Sequence, residues 1–194
     1  MTRIGLIRHG STRWNQEGRV QGHTDNPLDE EGFRQAGVLA ERLSGEAWDY
    51  IYSSDLLRAR QTAETIAGRL GIPLAGLVPG IREMNGGLIE GTTESERIER
   101  FGSQWKTMEL KLELESQELA RERGVRAIEE LAARHPGSNV LVVSHGAILR
   151  STLAGLVPSL DVSVLLKNTS ITCLVKDNDS WSCELYNSAE HMDG

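Results

Sequence analysis

The chain has 194 residues, 39% of them hydrophobic and 25% charged, with a formal net charge of −7. That length suits one ordinary domain with a sizeable core, and the composition excludes disorder and low complexity. The acidic balance argues against a nucleic-acid binder, which presents a basic face, and no apolar run approaches the ~20 residues of a membrane span.

In chain order, Arg3–Arg8 reads as a short strand, and residues 9–28 as loop without a period. The opening "MTRIGLIRHG" has too short an apolar stretch for a signal peptide, so a cytoplasmic protein is expected. From Asp29, a good N-cap residue, Phe33, Ala36, Gly37, Ala40 and Leu43 recur at helical spacing. "DYIYSS" (49–54) is a strand by its aromatic and β-branched content. The next helix, 56–70, carries Ala59, Ala63, Ile66, Ala67 and Leu70 on one face and is stopped by Gly71 and Pro73.

A weaker strand is expected at 72–78 and a glycine-rich loop at 80–92. Residues 93–135 read as helical and charged, broken near Gly102 and Gly124. "NVLVVS" (139–144) is the uninterrupted apolar strand of a sheet covered on both faces, followed by a helix over 147–156. "SITCLVK" and "WSCELY" flank "DNDS" as a C-terminal hairpin. Its turn puts Cys173 and Cys183 at equal distances from Asn178, where they could face each other. With no export signal, two reduced thiols are expected.

Strands alternating with helices imply an α/β domain with a mainly parallel sheet, the hairpin adding antiparallel strands at one edge. No linker or repeat divides residues 1–194, so one domain is expected. Within it, the stretch 86–118 holds eight Glu against two Arg and two Lys and reads as a small helical lid insertion.

In such sheets ligands bind beyond the C-terminal strand ends. Those ends carry Arg8, His9 and Gly10; Ser53, Ser54 and Asp55 with Arg58 one turn on; Arg82 and Glu83; and His145 with Gly146. Arginine forks and glycine-flanked histidines suit a phosphoryl group. The helix after His145 would point its positive end there. Histidine is a competent nucleophile toward phosphorus, and a carboxyl group can donate the proton. Each residue alone also has a structural reading: His145 as a core histidine, Arg58 facing solvent, Glu83 in a surface ion pair. His23, His135 and His191 are read as without chemical role. A zinc site from His9, His145 and Glu83 is disfavoured by the neighbouring arginines, and no P-loop or dinucleotide fingerprint occurs.

"LIRHGSTRWN" (6–15) resembles the opening signature of the histidine phosphatase superfamily, the phosphoglycerate-mutase-like proteins. The likeness continues in "GRVQGHTDNPLDEEGFRQA", "YSSDLLRARQTAETIA", "IREMNGGLIEG", "LVVSHGAILR" and "NTSIT", in order. The resemblance implies a three-layer sandwich with helices on both faces of the sheet. It also implies that His9 becomes phosphohistidine, that Arg8, Arg58 and His145 complete the phosphate pocket, and that Glu83 protonates the leaving group. Asn15, Gln21, Gly22 and Gly146 would contact the substrate, a small phosphomonoester, and neither metal nor cofactor is required.

Within the family, mutases carry a lysine after the "GGL" stretch, whereas this chain has Thr93, Glu94 and Glu96 there, and its lid is short and acidic. Both departures favour hydrolysis over a phosphoglycerate mutase, although "NGGL" is closer to the mutase wording. A catalytically idle phospho-ligand binder ranks last, since His9, His145 and Glu83 are all present. The natural substrate and the oligomeric state are not legible.

Overall fold

In the computed structural model, which describes residues 1–193, one sheet of six strands runs in the order β3-β2-β4-β1-β5-β6. The strands are β1 (Thr2–Arg8), β2 (Tyr50–Ser53), β3 (Leu74–Leu77), β4 (Asn139–Ser144), β5 (Ile171–Asp177) and β6 (Ser180–Ser188). The first four are mutually parallel; β5 and β6 are antiparallel and extend the sheet beyond β1. The helices are α1 (Arg13–Gln16), α2 (Glu30–Leu43), α3 (Leu57–Leu70), α4 (Glu94–Phe101), α5 (Gln117–Arg134) and α6 (Gly146–Leu156), with short 3₁₀ turns between them.

The period-two geometry of a strand splits the core into two halves. On one face Ile4, Leu6, Val140 and Val142 meet Ile128 and Leu131 of α5 and Leu149 and Leu153 of α6. On the other Ile7, Ile51, Leu141 and Val143 meet Leu39 and Leu43 of α2 and Ala59, Ala63 and Ile66 of α3. This is the three-layer α/β sandwich the sequence implies. β4 carries an unbroken apolar run because both of its faces are covered.

Three local expectations are corrected. Helix α2 starts where expected, with Asp29 accepting from Gly32 N, but its buried face is Gly32, Ala36, Leu39, Ala40 and Leu43. Phe33 is exposed and Gly37 only half-buried, one step round from that face. Helix α5 runs unbroken through Gly124. A Cβ at Gly124 would overlap Thr152 Oγ1 of α6, so this glycine lets two helices approach rather than ending one. Finally, the cysteines do not face each other. A register shift pairs Cys173 with Leu185 and Leu174 with Cys183, so the two thiols point to opposite sheet faces, and both are free.

Candidate active site

Strands β1 and β4 are paired in register, Arg8 opposite Ser144, so the residues that follow them, His9 and His145, emerge side by side. Their rings lie 5.2 Å apart between centroids. The two histidines, 136 positions apart in sequence, meet because a parallel crossover brings those strand ends together.

Both imidazoles are buried. Burial, and then the nearby Arg58 and Arg8 cations, hold His9 well below the usual histidine range, so it is neutral near pH 7. His145 is lowered in the same direction, first by burial and then by Arg58, His9 and Arg8. His9 Nδ1 lies 2.7 Å from the Gly10 carbonyl, which can only accept. The proton therefore sits on Nδ1, and Nε2 keeps its lone pair. Ser54 Oγ accepts from Leu56 N and lies at hydrogen-bond distance, 2.8 Å, from His145 Nε2.

Arg58, at the start of α3, is fully buried, not solvent-facing. Its Nη2 donates to Gly22 O (2.8 Å) and its Nη1 to Thr24 O (2.9 Å). Burial pushes its pKa down to about 10, so it stays charged at neutral pH. Arg8 Nη1 donates to Leu166 O at 2.5 Å. Arg8 Nε, Arg58 Nε and His145 Nδ1 are buried without a partner among the described residues. An unpaired buried polar atom is costly unless a partner is supplied, and two of these are donors on cations.

Glu83 follows the 3₁₀ turn Pro79–Ile81, and its carboxylate accepts from Ile148 N (2.9 Å), Ala147 N (3.2 Å) and Met84 N (2.9 Å). This corrects an expectation. The first turn of α6 points its N–H groups at Glu83, which occupies the anion's place at that helix end. Gly10 N is likewise engaged, by Thr62 Oγ1 at 3.0 Å, and is not offered to an anion. Arg82 is drawn away into a two-pronged pair with Asp55 (2.7 and 2.6 Å).

A cavity of about 380 Å³ opens above this cluster, bordered by Arg8, His9, Arg58, Glu83, Asn15, Gln21 and Gly22. His145 and Gly146 do not border it; His145 backs the His9 ring, and Gly146 opens α6 beside Arg8. Asn15 Oδ1 accepts from Thr12 N and from Asn168 Nδ2, so its amide nitrogen is not used in those bonds. Gln21 is buried, and its Oε1 accepts from Thr12 Oγ1 at 2.9 Å. The 86–118 stretch supplies Gly86, Ile89, Glu109, Leu114 and Glu115 to the outer wall. Among the described residues no group of three or more His, Cys, Asp and Glu is arranged to hold a metal ion.

Two supporting residues, Asn168 and Arg123, were not singled out in the sequence reading, and a third, His23, was read as without chemical role. Asn168 Nδ2 donates to His9 O (2.9 Å), fixing the end of β1. His23 Nε2 donates to Glu83 O (2.8 Å), and Arg123 reaches Glu83 O and Arg82 O while pairing with Glu115. Only the "NTSIT" and "QGHT" motif stretches hinted at Asn168 and His23, and Arg123 had no signal because α5 comes alongside through tertiary packing.

Several known proteins are similar to the chain over nearly its whole length. A metal-independent phosphoserine phosphatase of Arabidopsis thaliana is 33% identical over 200 residues, 99% of this chain and 84% of that protein. A probable phosphoglycerate mutase of Yersinia enterocolitica is 33% identical, covering 93% of this chain and 88% of that protein. Crystal structures of an Entamoeba histolytica phosphoserine phosphatase have been solved as a mutant with phosphoserine and in complex with 3-phosphoglyceric acid. They superpose with TM-scores of 0.84 and 0.85 at 30% identity, over 99% of this chain and 100% of theirs. Residues 4–189 match the family model for the histidine phosphatase superfamily (branch 1), and the chain belongs to that superfamily.

Proposed function

We propose that the protein hydrolyses a small phosphomonoester by passing the phosphoryl group through His9. The observation that carries this reading is the pair of neutral buried imidazoles beside two arginines whose Nε donors have no protein acceptor. His9 Nε2 attacks phosphorus, the ester P–O bond breaks, and Glu83, which enters this step in its acid form, gives its proton to the departing alkoxide and is left as the carboxylate. Water then attacks phosphohistidine, loses a proton to Glu83, and releases inorganic phosphate with a free imidazole. Arg8 and Arg58 stabilise charge on the phosphoryl oxygens, the kind of fixed donor whose loss costs ~10²–10³-fold in rate, and His145 supports the nucleophile from behind its ring. The 86–118 segment acts as a lid over the leaving group.

Hydrolysis is favoured over mutase chemistry by the charges around the outer cavity. A mutase must hold a second acidic group, yet Arg19, the cation bordering that region, is already paired with Glu17 and Glu96. Glu109 adds negative charge, whereas Glu115 is neutralised by its pair with Arg123. Thr93 and Glu96, where the mutase lysine would be sought, form a helix-capping box for α4. The names of the relatives put phosphoserine first among substrates to try.

The test is phosphate release from p-nitrophenyl phosphate, phosphoserine and 3-phosphoglycerate in the presence of EDTA, with alkaline detection of phosphohistidine. Chelator-resistant release with a His9-dependent phosphoenzyme is expected. Isomerisation of 3-phosphoglycerate outrunning release would favour the mutase, and binding without either activity would leave a ligand-binding protein.

A further inference from the structure

The guanidinium of Arg58 is held by the backbone carbonyls of Gly22 and Thr24 rather than by a carboxylate. Its aim therefore depends on whatever fixes the 22–24 turn. Thr24 N also donates to Gln21 O (2.9 Å) and His23 Nε2 to Glu83 O (2.8 Å), but the group that gathers the most of its donors is Glu90. Its Oε1 accepts from His23 N (2.8 Å) and Gly86 N (3.0 Å), and its Oε2 from Thr24 N (3.0 Å) and Thr24 Oγ1 (2.6 Å). The chain makes room for this carboxylate by omitting two side chains. Gly22 sits at φ +51, where a Cβ would overlap Glu90 Oε1, and a Cβ on Gly86 would lie 2.9 Å from Glu90 Cγ. Glu90 does not border the cavity, and its charge reaches Arg58 only at longer range, where it favours the protonated guanidinium.

We propose that Glu90 is a positioning residue for the phosphate-binding arginine: its carboxylate locks the 22–24 turn, and the two carbonyls of that turn aim Arg58 at the phosphoryl group. The proposal rests on the reading of Arg58 as a phosphate ligand. Chemistry explains why a carboxylate is needed. Four donors converge on Glu90, and an ionised carboxylate is acceptor-only, with about four lone-pair sites. A glutamine of the same shape has one acceptor oxygen, and in either amide orientation its NH₂ would face at least one backbone N–H that can only donate. The turn would then shift, and Arg58 with it, although nothing in the cavity wall has changed.

The experiment compares Glu90→Gln, Arg58→Lys and Thr24→Val, with Glu90→Gln and Thr24→Val each also combined with Arg58→Lys, in the full chain. Thr24→Val removes one hydroxyl bond to Glu90 but keeps the carbonyl that holds Arg58. The readouts are kcat and KM for p-nitrophenyl phosphate, calorimetric affinity for orthovanadate, and Tm. Glu90→Gln is expected to lower kcat/KM and weaken orthovanadate binding by roughly 10- to 100-fold, the range for a support residue whose loss misplaces a reacting group. In the Arg58→Lys background the same change should add less than about threefold, because coupled residues are not additive. Thr24→Val should give a smaller loss with the same non-additivity, which keeps the test decisive if Glu90→Gln does not fold. Equal losses in both backgrounds, or unchanged orthovanadate affinity in a folded Glu90→Gln protein, overturn the proposal alone. A wild-type protein that neither turns over nor binds orthovanadate overturns the reading of the pocket and the proposal together.

Discussion

Mild acid should destabilise this protein well before its carboxylates titrate, because it folds with two neutral buried histidines. His9 and His145 both have folded pKa values well below 6.5, burial being the largest cause. In the unfolded chain each returns to about 6.5. Below that pH the unfolded state binds protons that the native state refuses, so stability is fully present above about pH 6.5 and falls as pH drops toward the folded values. Each histidine can contribute up to about 1.4 kcal/mol per pH unit, and the pair up to about 2.7 kcal/mol per unit, within that window. His191, partly buried and also lowered, adds to the slope, whereas Asp55, Glu115 and Glu129 lie below their usual range and act only in stronger acid. The assay is urea unfolding at half-unit steps from pH 7.5 to 5, for the wild type and a His9→Asn, His145→Gln variant. The variant isolates the pair and should show a flatter dependence. A wild-type stability that is level across this range, or an equal slope in the variant, would falsify the claim that the imidazoles are neutral.

Three further outcomes are expected. His9→Ala should cut turnover below about one-thousandth while leaving Tm within a few degrees, since the nucleophile is lost but the removed ring carries a burial cost; a folded variant with substantial rate contradicts the nucleophile assignment. Glu83→Gln should slow alkyl phosphates far more than p-nitrophenyl phosphate, whose leaving group needs no proton, and equal slowing of both would count against a proton donor. Gly124→Ala should destabilise by about 1–3 kcal/mol, because the new methyl group overlaps Thr152 across the α5–α6 contact. Denaturation midpoints measure this, and a neutral or stabilising result would mean the helices part freely.

Much of the architecture was legible because its signals are local. The apolar run of β4, the Asp29 cap and the Gly71–Pro73 stop are each a property of a few neighbours. Failures occurred where a residue answers to something distant. Gly124 reads as a helix breaker until Thr152 is set beside it. Asn178 appears to centre the hairpin on the cysteines, but a register shift puts them on opposite faces. The α6 terminus reads as an anion site until Glu83, 65 positions from Ile148, is found occupying it.

By itself the sequence determined which groups are available and at which strand ends they emerge, because strand length and apolar patterning are written residue by residue. Tertiary structure decided what those groups are poised to do. Packing removes water from His9 and His145, which sets their charge. A turn clamped by Glu90 fixes the bearing of Arg58, and a helix end claims Glu83. Those are effects of neighbours brought together from far along the chain, and solvation, tautomer and direction exist only once they meet.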